Sequence, residues 1–320
     1  MNGADIRRNL ILLAIVLVAI FGLQFVLPEY YVLTATRMMV LAVFAVGYNM
    51  LLGYVGLLSL GHAMFFAAGL YGAGLAAYHL GTPVPLAFLV GIAAALALAF
   101  VIGWVALPTM RVSFMIVTLM FSQVGFLATL YFASYTGGQD GLSLPASARH
   151  AGFFGMDFSL ADAVVRFNIA FLLLAVVLAL SFLILVSRRG RIFSAVRENE
   201  GRTEMLGFNT FAAKLEAFLY SGGIAGAAGA AYGLLFGYMG STFASIQYSI
   251  EVLLFTLLGG AGTLLGPLVG VVLMMTLIDR LSELTSAYLL VVGIVLIALV
   301  LWFPKGILGS IRERWVKWLM

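Results

Sequence analysis

Polar residues are scarce along this chain, and they arrive in clumps. Between the clumps run apolar stretches at 9–27, 36–53, 61–80, 84–105, 111–132, 166–187, 214–236, 246–258, 264–280 and 287–303. A helix needs about 20 mostly apolar residues to cross the hydrocarbon core of a bilayer. The pattern therefore predicts an all-α polytopic membrane protein with about ten transmembrane segments. The eighth stretch is short and leads into Gly259-Gly260-Ala261-Gly262-Thr263 and Gly266-Pro267. It reads either as part of one long span over 246–280 or as half of a pair meeting at a glycine-rich turn. The first stretch runs into Pro28-Glu29-Tyr30-Tyr31 rather than a small-residue cleavage site, which predicts a retained helix and not a signal peptide.

Charge chooses between the two readings of 246–280. The stretch 188–213 and the residue after it hold Arg188, Arg189, Arg191, Arg197, Arg202 and Lys214, the strongest basic cluster, which belongs in the cytoplasm. Counting back, Arg7, Arg8 and Arg111 also fall inside, and 133–165 forms an outer loop. Counting forward, the tail with Lys305, Arg312, Arg314 and Lys317 falls inside only if 246–280 is split. The expectation is both termini cytoplasmic. Leu52-Gly53-x-x-Gly56-Leu57-Leu58 is echoed by Leu258-Gly259-x-x-Gly262-Thr263-Leu264, a possible internal repeat of the kind found in transporters.

Composition narrows the function. Hydrophobic types make up 63% of the 320 residues and charged types 9%, against about 25% charged in a soluble domain. Residues 1–320 therefore form a single transmembrane domain with no room for a soluble one. The net charge of +4 reads as positive-inside bias and not as a nucleic-acid surface. Cysteine is absent, which excludes disulfides and thiolate chemistry.

No catalytic or metal-binding constellation is present: His62, His79 and His150 are scattered, without carboxylates at ligand spacing. Among ionisable groups near the segments, Glu216, Glu251 and Asp279 sit close to segment ends, and His62 alone looks deep. His62 reads as a structural hydrogen-bonding residue before a solute or proton site. No Gly-x-x-x-x-Gly-Lys-Ser/Thr loop occurs, so any ATP used is hydrolysed by another chain. Ile192, Phe193 and Val196 make an apolar stripe in the cytoplasmic stretch, and Gly207 is placed to end a short helix near 202–206. Such a helix offers a docking surface; the plain alternative is a solvated loop. Gly137, Gly138 and Gly141 mark a tight path in the outer loop, either an ordinary turn or a rim met by a partner or the solute. Gly222/Gly226, Gly229/Gly233/Gly237 and Gly266/Gly270 recur at four-residue spacing, which lets helices approach closely in lipid.

Four motifs, in order along the chain, carry a family resemblance. They are Gly47–Ala63, the glycine motif Thr136–Pro145, Ala195-Val196-Arg197-Glu198-Asn199-Glu200 with Met205–Asn209 and Lys214, and Leu257–Pro267. Together they resemble the permeases of branched-chain amino acid ABC importers, of the LivM type. The resemblance implies a permease of the bacterial cytoplasmic (inner) membrane, working beside a second homologous permease in a heterodimer. It also implies two cytoplasmic ATPase subunits that bind ATP and Mg, and an extracytoplasmic solute-binding protein; no cofactor resides in this chain. The loop 188–213 is then the coupling loop, with Arg197, Glu198, Asn199, Glu200, Glu204 and Gly207 as ATPase-coupling residues. Where related chains usually carry Ala-Ala, this one has Arg202-Thr203, a change at the implied ATPase contact. From helix position, Ser59, His62, Thr118, Ser122 and Gln123 are expected along the translocation path. The rival readings are an importer of urea, amides or aromatic acids, and an ion-coupled secondary carrier. An intramembrane enzyme is disfavoured by the missing catalytic cluster.

Overall fold

A computed structural model describes residues 3–109, 111–145, 150–153, 156–285, 287–303, 305–316 and 318. Lys317 of the basic tail and parts of the outer loop, at 146–149 and 154–155, lie outside the described residues.

Each predicted apolar segment is a helix. They are α1 (Gly3–Val26), α2 (Glu29–Asn49), α3 (Ala63–His79), α4 (Val84–Ala106), α5 (Arg111–Tyr131), α7 (Ala163–Val186), α10 (Thr210–Phe236), α11 (Ile246–Gly259), α12 (Gly266–Leu284) and α13 (Tyr288–Trp302). Among the described residues six helices are long and apolar enough to cross a membrane; α11 is apolar but only 14 residues long. The stretch 246–280 is broken at Gly260–Leu265, and α11 and α12 pack against each other.

The helices start and stop where short polar side chains and glycines dictate, not where hydropathy changes. Asp162 caps α7 by accepting from Val164 N, so the outer loop ends three residues before 165. Asn209 caps α10 by accepting from Ala212 N at 2.9 Å, which pulls that helix four residues ahead of its apolar window. Pro28 precedes α2, which starts at Glu29 and not at 36. Proline has no N–H to lose at a helix start.

The outer loop departs from an all-α fold. After a short helix α6 (Ala133–Thr136), strands β1 (Leu142–Ser143), β2 (His150–Phe153) and β3 (Met156–Ser159) appear. β2 pairs with β3, and β1 pairs with β4 (Tyr238–Met239) just beyond α10. These segments are too polar and glycine-rich for helix, and their backbone groups find partners across strands instead.

Two helices form the spine. α2 is buried continuously over Met39–Asn49, and α10 is buried on most of its faces. The four-residue glycine spacing explains how α10 sits so close to α3 and α4. A Cβ at Gly226 would collide with Ala95 and one at Gly229 with the Phe66 carbonyl. Gly270 does the same for α12 against the Phe255 carbonyl of α11. With no hydrophobic drive between helices in lipid, such contacts hold the bundle together.

The connections sort to two ends. At one end lie Gly56, Arg197, Gly262 and Arg312 in mutual contact, the last from α14 (Ile307–Arg314). Asn9 Nδ2 donates to the Trp318 carbonyl at 2.7 Å, and Arg8 lies over the Trp318 ring, so both ends of the described chain meet. At the other end β1 pairs with β4, and His79 approaches the Tyr135 carbonyl at 3.4 Å.

Candidate functional site

The basic stretch 188–213 folds into α8 (Arg188–Glu198) and α9 (Glu200–Met205). Ser187 caps α8 by accepting from Arg189 N, and Phe193 and Val196 of the apolar stripe are buried beneath it. Asn199 is the hinge between the two helices. It ends α8, and its Oδ1 accepts from Arg202 N at 2.9 Å to start α9. Gly207 takes φ +85 and its N–H donates to the Glu204 carbonyl at 2.8 Å, closing α9.

The residues expected to couple mostly hold this stretch in shape. Arg197 Nη1 donates to the Gly53 carbonyl. Glu200 pairs with Lys214 at 2.5 Å, and that lysine side chain is only 11% exposed. Glu204 accepts from the Thr210 hydroxyl. Thr203 is buried with its hydroxyl on the Asn199 carbonyl, whereas Arg202 faces out. Glu198 is exposed. A cleft of about 240 Å³ opens between Val55–Leu57 and Val196, Arg197 and Glu200, with Lys214 in its wall.

Arg197 reaches a broken part of the bundle. α2 continues as a π-helical turn, Met50–Val55, and Gly56 ends it at φ +80. The chain then runs without helix to Gly61 before α3 starts. Irregular backbone at membrane depth is tolerated only where protein or a water-filled path surrounds it. Here Tyr48 donates to the Ser59 carbonyl at 2.9 Å and Ser249 Oγ accepts from Ala63 N at 2.9 Å.

Four of the expected path residues gather around this break. Ser59, His62, Thr118 and Ser122 are fully buried, and Gln123 is half-buried. Gly61 packs directly on the Thr118 carbonyl and the Ser122 side chain. His62 Nε2 lies 3.0 Å from Ser221 Oγ, and its ring is packed by Phe44, Tyr48 and Phe65. Its Nδ1 has no hydrogen-bond partner among the described residues. The geometry matches the structural reading of His62 on one nitrogen and leaves the other open.

The two echoed glycine motifs meet. Asn49 Nδ2 donates to the Thr263 carbonyl at 2.9 Å and its Oδ1 accepts from Gly262 N at 2.8 Å. Arg312 donates to the Gly262 carbonyl at 3.0 Å, as Arg197 does to that of Gly53. Each motif thus has one arginine on a carbonyl. Beside Arg312, Lys305 bonds Glu313 at 2.7 Å and holds its carboxyl below the usual carboxylate range.

The family model described as "Branched-chain amino acid transport system / permease component" matches residues 30–300. The chain belongs to this family. It is 29% identical to the high-affinity branched-chain amino acid transport system permease protein LivM of Salmonella typhimurium, over 98% of this chain and 78% of that protein. LivM of Escherichia coli K12 is 28% identical over the same shares. LivH of Salmonella typhimurium is 27% identical over 84% of this chain and 91% of its own length. No solved structure matches the chain.

Two features of this family member lie inside motifs named above but have roles that the motifs alone did not assign. Met205 and Leu206 are 90% and 70% exposed at the tip of α9, an apolar pair with nothing beneath it. Their position just before the αL glycine was the available signal. Asn49 lies inside an apolar run, where one amide among aliphatic residues was the only mark.

Proposed function

We propose that this chain is the membrane-spanning permease subunit of an ATP-driven importer of branched-chain amino acids in the cytoplasmic membrane. The observation that carries the reading is the family match across 30–300, joined to a cytoplasmic helix pair whose Arg197 grips the broken helix at Gly53. The chain is a transport subunit and not an enzyme. ATP and Mg are bound by two partner ATPases, a second homologous permease completes the pore, and an extracytoplasmic binding protein delivers solute.

Ten crossings with both termini cytoplasmic fit the sorting of connections to two ends. α8 and α9 form the coupling element, with Met205 and Leu206 as its contact and Arg197, Asn199, Glu200, Glu204 and Gly207 as its frame. Solute passes the outer turn at Gly137, Gly138 and Gly141, where Gly141 N donates to the Gly137 carbonyl at 3.2 Å. It then descends along the break near Ser59, His62, Thr118, Ser122 and Gln123. Closure of the ATPase dimer moves the coupling helices, and Arg197 transmits that motion to the end of α2.

The test is uptake of labelled leucine into vesicles holding the four membrane-associated subunits and luminal ATP, with binding protein outside. ATP-dependent uptake is expected. Uptake that follows an ion gradient in vesicles lacking the ATPases would overturn it in favour of a secondary carrier.

A further inference from the structure

One charged side chain lies well inside a span with no role so far. Arg37 stands eight residues into α2, roughly 12 Å from that helix start at 1.5 Å per residue. It is exposed, two residues before the fully buried stretch Met39–Asn49 begins. An arginine open to lipid at that depth costs about 2.5–3.5 kcal/mol or more, so such residues face a protein partner or a water-filled path.

Helix register shows what surrounds it. Thr256 of α11 donates to the Ala45 carbonyl at 3.4 Å, and α2 and α11 run in the same direction, since Asn49 meets Thr263 further along. Two turns back from that contact, α2 reaches Arg37 and α11 reaches Tyr248–Ser249, with Glu251 one turn on. α10 runs the opposite way: Ser221 donates to the Gly47 carbonyl at 2.6 Å, and three turns onward stands Tyr232. Arg37, Tyr232 and Tyr248 therefore stand at about one height, with Glu251 a turn further along α11. Arg37 lies near enough to act electrostatically on Tyr232 and on Glu251. Yet the ion pairs within 4.0 Å among the described residues do not include Arg37 with Glu251.

The walls are aromatic. Phe243 packs on Tyr232 at 4.9 Å and on Tyr248 at 5.2 Å. The Tyr248 hydroxyl is buried with no hydrogen-bond partner among the described residues. Phe243 also lies 6.4 Å from Tyr238, the residue of β4 paired with β1 of the outer loop. The cluster thus sits directly below the outer-loop motif.

We propose that Arg37 and Glu251, with Tyr232 and Tyr248, form a transient site for a zwitterionic amino acid entering the pore from outside. A guanidinium takes an α-carboxylate through two parallel hydrogen bonds. Glu251 and the tyrosine ring faces take the α-ammonium. Phe243 meets the aliphatic side chain. Opposite charges held apart by more than contact distance match a ligand that carries both charges on groups attached to one carbon. The inference rests on the importer reading above.

The experiment measures leucine taken up per ATP hydrolysed in the assembled complex in vesicles, with loaded binding protein outside. The variants are Arg37→Gln, Glu251→Gln and Tyr248→Phe, with Arg37→Lys as the conservative partner. The ratio normalises for any loss of assembled complex. Arg37→Gln and Glu251→Gln are expected to lower it at least threefold, Tyr248→Phe to lower it less, and Arg37→Lys to recover part of the loss. Ratios within threefold of the parent for both charge-removing variants would overturn the site; that is also the result if Arg37 only meets the second permease. If the unmodified complex takes up no leucine with ATP, the importer reading fails and the site falls with it.

Discussion

Asn49 is bonded to the backbone of Gly262, accepting from its N–H at 2.8 Å, and also donates to the carbonyl of the following residue at 2.9 Å. The two residues are 213 positions apart. Gly53 has no side chain to hold the motifs apart: a Cβ there would strike both the Asn49 amide and Gly262 N. One amide thereby joins the end of the second helix to the turn between α11 and α12.

Asn49→Leu leaves a buried N–H and a buried carbonyl without partners. Each unsatisfied group costs about 1–3 kcal/mol, so the loss is roughly 2–6 kcal/mol. A clear fall in the midpoint of thermal unfolding of the detergent-purified protein is expected. An unchanged midpoint would show that the bonds are replaceable.

Gly229→Ala places a methyl group against the backbone of Phe66, which cannot rotate away. Overpacking typically costs about 1–3 kcal/mol, occasionally more, and here the yielding element is a whole helix. Less folded protein in the membrane is expected, read by fluorescence-detected size exclusion. Gly293→Ala, where an added Cβ meets nothing within 4 Å, is the matched control and retains the parent profile.

Met205→Ser with Leu206→Ser removes two exposed side chains that stabilise nothing within the chain. Surface changes of this kind shift stability by about 0.5 kcal/mol or less. The permease is expected to fold as before but to lose its ATPases on co-purification. Retention of the ATPases at parent levels would remove the pair from the docking surface.

Hydropathy and charge parity made the broad fold legible. The helix order and the break in 246–280 both follow from apolar length and from where arginines cluster. The boundaries did not, because single capping residues, Asp162, Asn209 and Pro28, move a helix start by several positions without changing its apolar window. Arg37 was overlooked for the same reason. It stands second in the apolar window 36–53, which makes it look peripheral, whereas α2 starts at Glu29 and carries it two turns inward. The Ala195–Glu200 motif was legible as a motif, but not that Arg197 and Glu200 within it, and Glu204 beyond it, each bond to the chain itself. Spacing shows that Glu200 and Lys214 share a stretch; only folding shows that they face each other.

The burial of α2 also constrains how the protein is made. Its main neighbours α7, α10, α11 and α12 follow about 110 residues or more later in synthesis, which at ordinary ribosomal rates is roughly 6–22 seconds. Through that interval a helix destined for the protein interior lacks the neighbours that will cover it, with Arg37 two turns from its start. The span that the finished permease hides most completely is thus made well before the helices that hide it.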